Sequence, residues 1–243
     1  MTYGLISDIH GNLDALEAVL AELKDVDGFL CMGDLVGYGA DPSACVERVR
    51  ELPELVCVAG NHDLAAIGGY ELRWFNPFAR AAIVWTAEQL TQDQKDYLGS
   101  LRRTADADIA VLVHGSLPES MDYITSPAEA RRCFDAMPGD LTLIGHTHVS
   151  EYYRTRRRSR LPEQTSLFSG GRVEFEDDLR YIVNPGAIGQ PRDGNPAASF
   201  GIWEVEGKTI EVRRIPYDVE RAQAKMREAH LPDFLSERLS LGH

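Results

Sequence analysis

Positive charge is scarce in this chain: 25 lysines and arginines stand against 38 aspartates and glutamates, a formal net charge of −13 over 243 residues. Such a field repels nucleic acid at long range and gains nothing from an anionic membrane surface, so neither is expected as a bulk partner. A phosphate can still be held where local cations overcome the global field. Cysteine is also sparse, and Cys31, Cys45, Cys57 and Cys133 form no CxxC pair. Reduced thiols packed in the core are expected rather than a disulfide framework. No apolar run approaches the roughly 18 residues that a membrane helix needs. The N-terminus enters a strand-like run, Tyr3 to Ser7, with no basic or apolar leader ahead of it, so a cytoplasmic location is expected. Linkers, internal repeats and low-complexity segments are missing as well, and one domain spanning residues 1–243 is the expectation.

What is present alternates. Leu13, Leu16, Leu20 and Leu23 recur at helical spacing after Asn12, a candidate N-cap. Residues 28–32 and 55–59 are apolar strand-like runs, and Asp41-Pro42 between them reads as an N-cap with proline at the first helical position. Strand, helix, strand, helix, strand at this spacing implies parallel pairing, with ligands gathering at the carboxyl ends of the strands. Further on, Asn76-Pro77 opens a helix toward Leu90, Thr91 with Gln94 forms a capping box, and Ser126 with Glu129 forms another. Phe200–Val205 and Thr209–Ile215 flank a hairpin-like turn, and a helical tail follows from about Asp218. The arginine-rich run Arg154 to Arg160 reads as a solvated strand edge or hairpin rather than a nucleic-acid patch.

Five short motifs carry the chemistry, each at the end of an apolar run: Asp8-Ile9-His10, Gly33-Asp34, Gly60-Asn61-His62-Asp63, Val113-His114-Gly115 and Gly145-His146-Thr147-His148. Imidazole and carboxylate are the side chains that hold transition metals at neutral pH. Asp8, His10, Asp34, Asn61, His114, His146 and His148 together are too many donors for one tetrahedral zinc. They suit two ions of higher coordination, and N/O donors without thiolate favour Mn, Fe or Zn over Ca²⁺ or Mg²⁺. Glycines at 33, 60, 115 and 145 let the loops crowd together.

In order and spacing these motifs resemble those of the calcineurin-like metallophosphoesterase superfamily, from Asp8 to His148 and on to Pro185-Gly186. The resemblance, closest to compact prokaryotic phosphodiesterase-like members, implies a four-layer αββα sandwich of two mixed β-sheets flanked by helices. It implies that Asp8, His10 and His148 hold one ion, that Asn61, His114 and His146 hold a second, and that Asp34 bridges them. It further implies hydrolysis of phosphodiesters by a metal-bridging hydroxide, with His62 as general acid and with Asn61 and His62 facing the phosphate. The plainer role of His62 is a turn residue that orders Asp63. One departure matters. Where the Ser/Thr protein phosphatases of the superfamily carry an Asp-Arg pair, this chain has Gly37 and Tyr38, which disfavours phosphoprotein chemistry. Phosphomonoesters and dinucleoside polyphosphates are alternative substrates, and a catalytically silent metal-holding scaffold is the alternative outside enzymology. The aromatic stretch from Gly68 to Trp85 either caps the cleft or, as preferred here, packs Trp74, Phe75, Phe78 and Trp85 into the core. Arg192 reaches either a substrate phosphate or a loop salt bridge.

Overall fold

The computed structural model describes residues 1–157 and 161–243. The chain opens with β1 (Thr2–Ile6), α1 (Leu13–Glu22), β2 (Gly28–Cys31), α2 (Pro42–Arg50), β3 (Leu55–Cys57) and α3 (Asn61–Ala66). It continues through α4 (Pro77–Gln89), α5 (Gln92–Ser100), β4 (Thr104–Ala107), β5 (Ala110–Val113), α6 (Pro127–Ala136) and β6 (Leu141–Leu143). Six strands follow, β7 (Glu151–Arg156), β8 (Glu163–Ser166), β9 (Gly171–Glu174), β10 (Leu179–Asn184), β11 (Ala198–Glu204) and β12 (Thr209–Ile215). The tail holds α7 (Val219–Glu228) and α8 (Asp233–Glu237).

These strands form two six-stranded sheets, ordered β3-β2-β1-β11-β12-β9 and β4-β5-β6-β10-β7-β8. The expected parallel pairing of β1, β2 and β3 is present, and β5, β6 and β10 are parallel in the second sheet. Period-two alternation explains the layers. Leu5 and Leu30 point between the sheets, where they meet Leu112, Leu143, Val183 and Trp203. Their neighbours Ile6, Phe29 and Cys31 point the other way, onto Leu16, Val46, Ile83 and Met226 of the covering helices. A strand buried on both faces reads as an unbroken apolar run, which is why these strands were visible in the sequence. The second sheet carries one described helix on its outer face: Phe134 and Cys133 of α6 pack on Val113, Ile144 and Ile182. The αββα sandwich is therefore observed, with most of the helices on the first sheet.

Some boundaries differ from expectation. The strand expected over 55–59 ends at Cys57, and Val58 makes only an isolated bridge to Arg102. Asn12 caps α1 by accepting the Ala15 N–H at 3.1 Å. Asp41 precedes α2 but makes no capping bond, because its carboxylate is taken by Lys225 Nζ at 2.8 Å. Strand β8 was not anticipated, since all four of its side chains are exposed and give no hydrophobic alternation. It pairs with β7 as the edge hairpin expected for the arginine run. Arg154, Arg156 and Arg157 are neutralised there by Glu163, Glu176, Asp178 and Asp140. Arg158 and Arg160 lie outside the described residues. Among the described residues no helix is long and apolar enough to cross a membrane.

Candidate metal centre

All seven expected donors lie just beyond strand ends. Asp8 and His10 follow β1, Asp34 follows β2, Asn61 starts α3 after β3, His114 follows β5, and His146 and His148 follow β6. The ligand atoms of Asp8, His10, Asp34 and His148 lie within 4.8 Å of one another, as do those of Asp34, His114 and His146. Asp34 belongs to both groups, and every member is buried. Asn61 joins the second, its Oδ1 standing 3.1 Å from His114 Nε2.

The backbone departs from the extended alternation that the Asp-x-His and His-x-His spacings suggest. Asp8, His10, Asp34, His146 and His148 all have φ between 51° and 67°. A non-glycine residue in this region costs about 1–3 kcal/mol, and such residues concentrate at functional sites. The turns are held by hydrogen bonds between loops. The His146 N–H donates to the Asp8 carboxylate at 3.1 Å, and Asn184 Nδ2 donates to Gly145 O at 2.8 Å and to Thr147 Oγ1 at 2.9 Å. Asp63 is the hub on the other side: its carboxylate accepts from the backbone N–H of Asp34, Leu35, Val36 and Gly60 at 2.8–3.2 Å. Its order thus comes from four main-chain donors and not from His62. Glycine at 60 is a steric necessity, since a Cβ there would meet Asp34 Oδ1 at 2.0 Å.

Protonation states show what the arrangement demands. Nδ1–H of His10 donates to Val36 O at 3.1 Å, and Nδ1–H of His148 donates to Gln190 O at 2.5 Å. Burial drives both imidazoles well below their ordinary pKa, so each is neutral and its Nε2 carries a lone pair. The two Nε2 atoms nevertheless face each other at 3.0 Å. Neither can donate to the other. The carboxylates add more acceptors, with His10 Nε2 3.5 Å from Asp34 Oδ2 and His148 Nε2 3.4 Å from Asp8 Oδ1. Acceptors converging without a proton fit a cation. Burial also opposes the charged form of His114, but Asp34, 3.2 Å from its Nε2, outweighs this and pushes the imidazole up to about 10. Burial pushes Asp8 up to about 7. The buried Nε2 of His146 has no hydrogen-bond partner. The donor set therefore fits transition-metal ions.

The profile of the calcineurin-like phosphoesterase superfamily domain matches residues 1–208. The chain belongs to this superfamily. It is 36% identical to an uncharacterised protein of Methanocaldococcus jannaschii, over 98% of this chain and 97% of that one. It is 28% identical to the symmetrical bis(5'-nucleosyl)-tetraphosphatase of Pectobacterium carotovorum, over 86% of this chain and 83% of the relative. The crystal structure of a metallophosphoesterase from Sphaerobacter thermophilus superposes with a TM-score of 0.88 at 41% identity, covering 100% of this chain and 99% of that one. The chain is a phosphoesterase of this superfamily, a hydrolase acting on phosphoester bonds.

Around the phosphoesterase centre, His62 is held differently from an imidazole steered by a carboxylate. A Cβ at Gly37 would lie 2.3 Å from its Nδ1, so no side chain fits there, and that nitrogen is buried without a partner. The ring is positioned by packing instead, with centroids 4.4 Å from Tyr38, 4.7 Å from His10 and 4.9 Å from Phe75. Burial lowers its pKa to about 4, against the pull of Asp34. A cleft of about 270 Å³ opens over Asn61, His62 and His146. Its wall corrects the expectation for the aromatic stretch. Phe75 is buried and Trp85 packs on the core, but Trp74 lines the cleft with 69% of its surface exposed, and Phe78 is exposed as well.

Arg192 also lines this cleft. Its Nη2 donates to Tyr38 OH at 3.0 Å and Gln190 Oε1 at 3.2 Å, with no loop salt bridge among the described residues. Sequence reasoning assigned nothing to Tyr123, whose ring stacks on His146 with centroids 3.8 Å apart, nor to Asp63 as organiser or to Arg238. Only Asp63 left a signal, since it closes the Gly60-Asn61-His62-Asp63 motif.

Proposed function

We propose that this chain hydrolyses phosphodiesters with two bound metal ions, drawn from Mn, Fe and Zn. Asp8, His10 and His148 hold one ion, Asn61, His114 and His146 the other, and Asp34 bridges. The observation that carries this is the pair of neutral imidazoles, His10 and His148, presenting lone pairs to each other at 3.0 Å beside two carboxylates. When bound, such ions neutralise phosphoryl oxygens and acidify a water into a nucleophile near pH 7.

The chain's own groups do the rest. Asn61 donates its amide hydrogens to a phosphoryl oxygen while its Oδ1 serves as ligand. His62 hands a proton to the departing oxygen; it is neutral in the free site, and the negative charge of an arriving phosphate raises its proton affinity. Arg192 contacts the phosphate from the rim. Gly37 and Tyr38 favour a diester, because no carboxylate orients His62 and Tyr38 adds no cation to that of Arg192. The reaction is placed in the cytoplasm, in keeping with four cysteines that are all free.

Dinucleoside polyphosphates are the second reading, supported by the likeness to the tetraphosphatase and by the cations of the cleft wall. With Mn²⁺ supplied, turnover of bis(4-nitrophenyl) phosphate should exceed that of 4-nitrophenyl phosphate. Faster monoester turnover would overturn the diester preference, and inertness of metal-replete protein toward every phosphoester would favour a scaffold.

A further inference from the structure

The superfamily profile stops at residue 208, but the cleft is completed by a residue beyond it. Arg238, in a 3-10 turn over Arg238–Ser240, lines the same cleft as Arg192. Among the described residues neither guanidinium is paired with a carboxylate side chain. Arg192 keeps a buried Nε without a partner, and the adjacent carboxylate, Asp193, is occupied by Arg214. Arg238 donates Nε–H to the chain-end oxygen of His243, which leaves its two Nη groups for an anion, and lies 5.4 Å from the Phe234 ring. Burial and the charge of Arg192 hold Arg238 below its ordinary pKa, so the two cations feel each other. Two partly buried guanidinium groups lining one cleft repel each other, and an anion between them relieves that repulsion.

The tail carrying Arg238 is fixed in place. Ala222 and Met226 of α7 enter the helix-layer core, and Lys225 bridges Asp14 and Asp41 at 2.8 Å each. Phe234 stacks on Phe78 with centroids 4.9 Å apart, joining α8 to α4. The Gly194 N–H donates to Gly242 O at 2.8 Å, which ties the tail to the loop bearing Arg192.

We propose that Arg192 and Arg238 form a second anion site, which takes a phosphate group flanking the one being hydrolysed, with Arg238 as its specificity-determining residue. This rests on the phosphoesterase reading of the cleft floor. The preferred substrate then carries adjacent phosphates. An internal phosphate of such a chain is substituted twice and bears one charge, in keeping with the diester preference. Guanidinium forks match phosphate oxygens in bidentate geometry, so two of them favour a phosphate chain over a single anion.

Calorimetric titration of inorganic pyrophosphate into the chelator-treated full chain reads the arginine pair without the metals. Arg238→Gln should weaken binding roughly ten-fold, the loss expected for one charge-assisted contact, and Arg238→Lys, which keeps the charge without the fork, should recover only part of it. Gly242→Val provides a variant that leaves Arg238 intact. A Cβ at 242 would meet the Asn195 backbone at 2.6 Å, so the tail must shift and the same loss should appear. In the Mn²⁺-loaded enzyme, Arg238→Gln should raise KM about ten-fold for a pyrophosphate diester, with a smaller rise for bis(4-nitrophenyl) phosphate. Pyrophosphate binding that is absent in the wild-type chain, or equal in wild type and Arg238→Gln, overturns the proposal; so does an equal KM rise for both substrates. If the wild-type chain hydrolyses no phosphoester, the reading of the floor fails and the titration alone still judges the arginine pair.

Discussion

The floor and the wall of the cleft are built on opposite principles. The floor consists of buried side chains at strand ends, held by hydrogen bonds between loops and by five non-glycine residues at positive φ. The wall is made of an exposed Trp74, Tyr123 laid flat on His146, and two arginines on separate segments. The floor is over-determined: Asp63 ties four backbone donors, and Asn184 pins the His146 loop. The wall depends on a few contacts between a loop and the tail. Chemistry that needs fixed donor geometry sits on the first, and substrate choice falls to the second.

This contrast can be broken by substitution, since changes in the floor should alter metal content and kcat while changes in the wall should move KM. Asp34→Asn should have the largest effect. It removes the carboxylate shared by both donor groups, and kcat/KM should fall by more than about 10⁴-fold, beyond the worth of one general acid. Metal content per chain, measured alongside, should fall with it. His62→Ala should lower kcat by roughly 10²–10⁴-fold at unchanged metal content; a parallel loss of metal would make His62 part of the floor. Gly37→Ala should lower kcat about ten-fold by pushing the His62 ring aside, again with the metals retained. Trp74→Ala should raise KM by roughly three- to ten-fold for aryl or nucleoside esters, the worth of lost stacking, and leave kcat nearly alone. A fall in kcat instead would place Trp74 with the chemistry.

The floor also predicts a pH dependence. In the metal-free site His114 is protonated up to about pH 10 and Asp8 up to about pH 7, and both must release protons to become ligands. Metal affinity should therefore rise with pH through about 7 and on toward about 10. Calorimetry in buffers of different ionisation enthalpy should detect protons released on binding, and uptake would reverse the sign.

The same contrast decides what could be read from the chain itself. The floor was legible because its donors follow apolar strands, buried on both faces except for the half-buried β3 ahead of Asn61, so motif and apolar run mark the same place. Left-handed backbone at Asp8 or His146 was not, because spacing alone suggests extended alternation and the cross-loop hydrogen bonds that hold the turns join residues far apart. The wall left almost no trace. Trp74 and Phe78 read as core because aromatic residues usually are, but Phe78 stacks on Phe234 at the surface and Trp74 stands in the cleft wall. Arg238 lies in a polar tail without a motif, and the contacts that bring it to the cleft, Gly194 to Gly242 among them, join residues far apart in the sequence. Edge strand β8 was invisible because its four side chains are all exposed and the bonds that join it to β7 are backbone and polar side-chain contacts.

Elemental analysis of the Mn²⁺-loaded full chain, freed of excess metal, tests the floor most directly. Two ions per chain are predicted, with the count collapsing in Asp34→Asn. One ion or none in the wild-type chain would contradict a shared centre built on that aspartate.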